Sequence, residues 1–581
     1  MIRVPLSPFT GRISHSVLRL ARFAESALPE VANCDEVSDA FYRKVFRMPA
    51  RSLTFLRLTL MTFRCSGFFL LAALTLNFPS AVQAQTHAQG ASIAQNETRT
   101  ARALELARAN PLELHAFLEK MPKGGDLHNH LVGAVYAETW IREAAEDNLC
   151  IDRAKLSFAK PSADQHLCGT NQVPASTAFQ DQHLYDALID AFSMRAFVPT
   201  PGVSGHDHFF DTFEHFVGDG IDSRHMGEWL DEVATRAASQ NEQYLELIHA
   251  PDFSHAAEIT KEVGWNYDLS QLRTALLSRG LRDDIAAARA SLDQAEVLRR
   301  QREHCGEKGE AAACRVQIRY LYLILRGFSK EQVFAQTLLG FETASADPRF
   351  VGINYVMPED GYVSMNDYTL HMRIVGFLHG LYPKVHISLH AGELAPGLVP
   401  PEGLCCHIHQ AVEYAHAERI GHGVDVMYEQ NSQTLLKEMA ALHVMVEVNL
   451  TSNDVILGVS GKDEPLPIYR KAGVPVALST DDEGVSRIDL THEFVRAVQS
   501  YDLHYSDLKQ MVRASLEHSF LPGSSLWGAP DVFTHPVAAC ASSRLGADNP
   551  SATCSAFLKG SEKAQQQWEL ERRFRLFEAD N

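Results

Sequence analysis

The chain has 581 residues, 45% of them hydrophobic and 22% charged, with a formal net charge of −19. This composition excludes a disordered or fibrous chain and fits a globular protein with a sizeable core. The acidic balance argues against nucleic-acid partners, because the protein's field repels phosphate, and it disfavours highly anionic small substrates.

Residues 1–84 read as a signal-peptide region. Met61 to Arg64 opens a basic patch, Phe68 to Leu76 is apolar, and Ser80-Ala81-Val82-Gln83-Ala84 supplies small residues for cleavage after Ala84. The apolar run is too short to span a bilayer. The expectation is export, periplasmic or secreted, with no stable membrane anchor after cleavage. Residues 1–47 are Arg-rich without periodicity, and initiation at Met48 or Met61 would place them upstream of the true start. The segment 1–84 carries ten Lys/Arg against five Asp/Glu, which leaves a net −24 downstream. Eight cysteines follow it. Cys150/Cys168, Cys305/Cys314 and Cys540/Cys554 are spaced as local staples for an oxidising compartment, with free thiols as the alternative. Cys405-Cys406 lacks metal-ligand spacing and receives no role.

Residues 85–120 form an N-terminal helical segment, with Leu104, Ala107, Leu114, Phe117 and Leu118 along one face of a helix over Glu97–Lys120. Strand patterns follow near Asp126–His130, Gln243–His249, Val316–Leu325, Phe350–Val356, Val385–His390, Arg419–Gly421, Val444–Val448 and Val474–Ser479. Helix-like segments separate them, without hairpin signals. Eight such alternations predict parallel strands with right-handed crossovers, and so an α/β fold of the (β/α)8 TIM-barrel type. The barrel occupies 121–525, with insertions at about 150–235 and 255–312 and a C-terminal extension over 526–581.

Four polar segments end these strands: Leu127-His128-Asn129-His130, Leu389-His390-Ala391-Gly392-Glu393, Ile420-Gly421-His422-Gly423 and Leu478-Ser479-Thr480-Asp481-Asp482. In a barrel, polar groups at the C-terminal strand ends read as catalytic. Burying them unpaired would be costly, and a divalent metal would satisfy them together. His128 and His130 point to the same face of a strand. With His390 and Asp481 they suit Zn²⁺ with one position open for water. Glu393, three residues past His390, is placed as a proton shuttle. His422 could serve as a second base or stabilise hydroxide, and Asp482 is free to accept a hydrogen bond from substrate. Helix capping is the competing use of the Asp481-Asp482 pair. His407-Ile408-His409 reads as exposed and unligated, and Asn449 to Asn453 either lines the pocket or caps a helix.

Met121-Pro-Lys-Gly-Gly-Asp-Leu-His-Asn-His-Leu131, Ser388-Leu-His-Ala-Gly-Glu393, Arg419-Ile-Gly-His-Gly423 and Ser479-Thr-Asp-Asp482 resemble the four signatures of the adenosine deaminase family, in order, over about residues 120–520. The leader and the enlarged insertions make the chain similar to exported members, including the secreted growth-factor-like deaminases. The resemblance implies one Zn²⁺ per chain on His128, His130, His390 and Asp481, and a purine nucleoside as substrate. It further implies proton donation to purine N1 by Glu393 and hydroxide orientation by His422 with Asp481. Asp482 would contact N7, and the backbone NH of Met357 would reach the purine, with His130 nearby. Two departures stand out. Val132 replaces an acidic residue that contacts the sugar in the family, and Met357 replaces a glycine. Adenine or a modified 6-aminopurine is therefore the alternative substrate, and a non-catalytic secreted binding protein is the alternative class.

Overall fold

The computed structural model describes residues 95–162, 167–218 and 222–581. The signal sequence expected over 1–84 lies outside the described residues. Eight strands form one parallel sheet in strict chain order: β1 (Gly124–His130), β2 (Glu242–His249), β3 (Gln317–Leu325), β4 (Phe350–Val356), β5 (His386–Ala391), β6 (Arg419–His422), β7 (Met445–Val448) and β8 (Val476–Leu478). Every neighbouring pair is parallel. The ring closes through one residue. Asp481 donates its backbone NH to the His128 carbonyl at 2.8 Å and accepts from the His130 NH at 3.1 Å, making a bridge to Asn129. The fold is a (β/α)8 barrel.

Parallel barrel strands are covered on both faces and read as long buried runs. β2, β4, β6, β7 and β8 are buried at every position. Ile248, Leu321, Val351 and Val356 of β2, β3 and β4 form one buried cluster with Phe520. The barrel also holds a buried line of charge. Arg419 ion-pairs with Glu246 at 2.7 Å and with Glu447 at 2.6 Å, while its guanidinium lies 3.8 Å from the Phe520 ring centre.

The single N-terminal helix expected over 97–120 is two. One spans 95–107 and the next Pro111–Lys120. Asn110 is extended and caps the Leu112 NH, and Pro111 starts a new first turn, where a missing NH costs nothing. The absence of hairpins also needs correction. The first insertion holds a three-stranded antiparallel sheet of Cys150–Asp152, Ser157–Ala159 and Gln172–Pro174. A disulfide from Cys150 to Cys168 ties it. Cys305–Cys314 and Cys540–Cys554 are also bonded, as is Cys405–Cys406.

Two inserted helices roof the C-terminal face. Helix αA (Gly205–Phe216) begins with a reciprocal capping box between Ser204 and Asp207. It rests on the helix after β7 so closely that a Cβ on Gly205 would lie 1.9 Å from the Val455 carbonyl. Helix αB (Asp284–Arg302) belongs to the second insertion. No helix among the described residues is long and apolar enough to cross a membrane.

Candidate active site

β1 presents His128 and His130 from alternate positions on its inner face, and β5 brings His390 opposite them. The Nε2 atoms of His128 and His130 lie 3.1 and 3.2 Å from Nε2 of His390. Asp481 Oδ1 lies 3.1 Å from His130 Nε2 and 3.5 Å from His128 Nε2. These four ligand atoms all fall within 4.8 Å of one another. A tetrahedral site with metal–ligand bonds near 2.0–2.1 Å has ligand–ligand edges of about 3.3 Å. The donor set and its spacing fit one divalent cation.

The electrostatics ask for positive charge at the same point. Burial alone would lower the His128 pKa, but hydrogen bonds with Asp481 and Glu447 push it up to about 10. Burial and the three neighbouring histidines hold His390 well below the ordinary range. Burial disfavours the charged form of Asp481, yet its hydrogen bonds with His128 and His130 keep it far below the usual carboxylate range. A metal would replace that proton.

Three of the four ligands are held from behind. His128 Nδ1 is 2.7 Å from Glu447, which also accepts from Ser388 at 3.0 Å. His390 Nδ1 is 2.7 Å from Asn354 Oδ1, and Ser452 donates to Asp481 Oδ2 at 2.6 Å. Such partners fix the tautomer and orientation of a ligating imidazole. Gly421 leaves room for this arrangement, since a Cβ there would sit 2.5 Å from the His128 ring. Asp481 and His422 adopt φ of 60° and 69°, a left-handed conformation uncommon for such residues and concentrated at functional sites.

His422 and Glu393 stand beside the cluster. His422 Nε2 is 3.8 Å from both Glu393 Oε1 and Asp481 Oδ2, and its Nδ1 is 3.0 Å from Asn453. Burial raises the Glu393 carboxyl above its ordinary range, which suits a proton donor. Burial also raises Asp482 to about 7, and its Oδ1 has no hydrogen-bond partner. Gly133 faces that oxygen, and a Cβ there would overlap it at 1.6 Å. Met357, the residue after β4, has φ 87° and lines the same cavity.

His407 corrects the sequence reading. It is 4% exposed, stacks on Tyr368 at 3.6 Å, and meets Glu359 through Nδ1 at 2.5 Å. Glu359 accepts the backbone NH groups of Gly392 at 3.1 Å and Glu393 at 2.7 Å. The sequence reading passed over Glu359, Asn354 and Glu447. A lone Glu in Val444–Val448 and a lone Asn in Phe350–Val356 are polar residues on fully buried strands, which was their available signal. The Asn449 to Asn453 segment, left open between pocket and cap, supports site side chains through Ser452 and Asn453.

The cavity above the cluster measures about 860 Å³. His130, His390, Glu393, Asp481 and Asp482 line it together with Phe209, Phe210 and Phe213 of αA, Trp229, Phe328, Val132 and His249, and Glu214 and Asp252 also face it.

A (β/α)8 barrel with a three-histidine, one-aspartate cluster at its C-terminal face defines a class of metal-site barrel enzymes. Residues 203–526, more than half the chain, match the adenosine deaminase family model, and the chain belongs to that family. β1 lies ahead of the matched span and joins the site by geometry. The adenosine deaminase of Clostridium perfringens strain 13 is 33% identical over 135 residues, 23% of this chain and 37% of that protein. That of Shewanella loihica is 34% identical over 139 residues, 24% and 39%. The chain thus aligns with well under half the length of these curated relatives. Among solved structures, an adenine deaminase from Arthrobacter aurescens is 18% identical, with TM-score 0.43 over 69% of this chain and 94% of that one. An Arabidopsis N6-mAMP deaminase is 19% identical, with TM-score 0.45 over 70% and 96%.

Proposed function

We propose that this chain is an exported, Zn²⁺-dependent deaminase converting adenosine and 2′-deoxyadenosine to inosine and 2′-deoxyinosine with release of ammonia. The convergence of His128, His130, His390 and Asp481 beside a raised Glu393 carries this reading. One Zn²⁺ on those four residues would supply Lewis-acid activation of water. Glu393, protonated, donates to purine N1 and makes C6 electrophilic. His422 takes the proton of the attacking water, with Asp481 helping to orient it. A new C6–O bond forms, the C6–N6 bond breaks, and the amine leaves as ammonia once it gains a proton. Asp482, with its raised pKa and free Oδ1, donates to N7.

The cavity lining supports a nucleoside over a nucleotide. Among its described residues it carries five carboxylates and no Lys or Arg, so a phosphate would meet no counter-charge. Val132 favours a second reading, adenine or a modified 6-aminopurine, because it offers a sugar hydroxyl no hydrogen bond. A non-catalytic binding role is the weaker alternative, since no ligand or proton donor is missing. Export rests on the leader pattern and on four disulfides, bonds that persist in oxidising compartments.

The test is ammonia release and ultraviolet change with adenosine, 2′-deoxyadenosine and adenine in parallel. Nucleoside turnover is expected, lost on chelation and restored by Zn²⁺. Glu393→Gln is expected to lower kcat by about 10²- to 10⁴-fold while retaining metal. Turnover of adenine alone would move the assignment to a base deaminase. Full activity in Glu393→Gln would remove its proposed role.

A further inference from the structure

Where parallel strands stop, their last carbonyls run out of ladder partners, and a buried carbonyl left unpaired is costly. At the C-terminal face one side chain answers two of them. Arg326 follows the last residue of β3 and prolongs its ladder, donating its backbone NH to the Val356 carbonyl at 3.2 Å. The residue is 0% exposed. Its Nε donates to the Met357 carbonyl at 3.1 Å and its Nη1 to the His390 carbonyl at 3.0 Å. Nη2 lies 3.9 Å from Glu359 Oε2 and is buried with no hydrogen-bond partner among the described residues. One guanidinium therefore holds the ends of β4 and β5 and faces the Glu359 carboxylate.

Each of these contacts leads to a different part of the site. Met357 holds φ 87°, a conformation that persists in a non-glycine residue only when its surroundings over-determine it. Arg326 restrains it through the carbonyl, and the Gly327 NH restrains it through Sδ at 3.3 Å. The His390 carbonyl belongs to the residue whose imidazole enters the metal cluster, so holding it fixes the backbone from which the ring projects. Glu359 accepts the Glu393 NH at 2.7 Å, and its position carries over to the proposed proton donor. Arg326 itself lies outside the cavity lining and acts on the site only through these neighbours. Its planar fork is what the arrangement needs. A Lys amine is a point charge on a flexible stem and does not hold carbonyls of two strands in one fixed plane.

Resting on the deaminase reading above, we propose that Arg326 is a positioning residue for the reaction, its guanidinium setting Met357, His390 and, through Glu359, Glu393 in register with one another. The purine contact, the metal ligand and the proton donor then share one buried clamp. A misplacement of 1 Å far from the chemistry can cost about 10²-fold in rate, which sets the size of the expected effect.

The experiment compares the full chain with Arg326→Lys and Arg326→Ala. Zn²⁺ affinity is read by competition with a chelating dye. Turnover is read with the best substrate among adenosine, 2′-deoxyadenosine and adenine, as kcat per bound Zn²⁺, so that misfolded protein is not counted. Arg326→Lys is expected to lose about 10²-fold in kcat per site and at least about tenfold in Zn²⁺ affinity. In Arg326→Ala, guanidinium is expected to restore part of both losses, whereas ammonium, of the same charge, restores neither. If Arg326→Ala fails to fold, the lysine variant carries the test by itself. A lowered Tm with kcat per site unchanged in Arg326→Lys overturns the inference and leaves Arg326 a purely structural residue. No turnover by the parent overturns the deaminase reading instead. In that case a loss of Zn²⁺ affinity in Arg326→Lys supports the clamp on His390, and an unchanged affinity overturns the inference as well.

Discussion

Glu447 shows how a single residue off the metal can govern it. Its carboxylate is buried between His128 and Arg419, and it fixes the His128 ring through Nδ1 at 2.7 Å so that Nε2 faces the cluster. Gln at this position keeps the shape but gives up the negative charge that makes the imidazole a better ligand. Glu447→Gln is expected to weaken Zn²⁺ affinity about 10- to 100-fold, measured by competition with a chelating dye, with a smaller effect on kcat at saturating metal. Unchanged affinity would mean that the ring is held by packing alone. Glu359 acts in the same way on Glu393, the proposed proton donor, since two of its acceptor sites are spent on the Gly392 and Glu393 backbone NH groups. Burial works against its charge, yet the Arg326 guanidinium and the His407 hydrogen bond hold its pKa at about 2. An unfolded Glu titrates near 4.3. The folded value is the lower one, so the stabilisation is fully present above about pH 4.3 and fades as pH falls through about 2. Two pKa units correspond to about 3 kcal/mol. Glu359→Gln should lower the denaturant-unfolding stability by about that much at pH 7, and the gap to the parent should narrow between pH 4 and 2. A gap that does not change with pH would assign the loss to packing.

At the scale of elements, the four strand-end motifs were legible because each places an ionisable residue where an apolar run stops. That pattern also located the strands to within two residues at either end. The breaks in the reading have physical reasons. Asn110-Pro111 divides the N-terminal helix through a cap and a proline first turn, a signal that hydrophobic periodicity overrides when it is read over a long window. The small sheet at Cys150–Pro174 has strands of three residues, too short for alternation to register. His407 was misread because its neighbours His409 and Glu413 face outward, whereas its own helical position turns inward onto Tyr368. The short sheet depends on its staple. An 18-residue separation between Cys150 and Cys168 corresponds to about 3 kcal/mol of loop-closure stabilisation. Cys150→Ser with Cys168→Ser should therefore open the 150–174 segment to limited proteolysis well before the barrel unfolds. Simultaneous cleavage and global unfolding would show that the insertion and barrel form one cooperative unit.

The whole molecule depends on the same few residues at which the chemistry is placed. Strands β1 and β8 meet through the Asp481 backbone, and the Asp481 side chain reaches the histidines of β1, so the barrel seam and the metal cluster share one residue. β5 approaches from across the barrel with His390. A cation bound there would join three strands that adjacent pairing joins only around the ring. Without it, the buried cluster must retain a proton on His128, or leave Asp481 facing neutral imidazoles. Metal binding to the native state alone stabilises by RT ln(1 + [metal]/Kd), about 4 kcal/mol when free metal is a thousandfold above Kd. Spread over a chain of this size, that is a shift of a few degrees in Tm. Chelation should therefore lower Tm by a few degrees and expose amides of β1 and β8 to hydrogen exchange ahead of β3 and β4, with both changes reversed by Zn²⁺. The comparison of strands matters more than the shift in Tm. Uniform loss of protection would mean that the metal stabilises the barrel as a single body. Loss confined to β1 and β8 would show that the seam, held at Asp481 by a left-handed backbone, is closed by the same ion on which the proposed reaction depends.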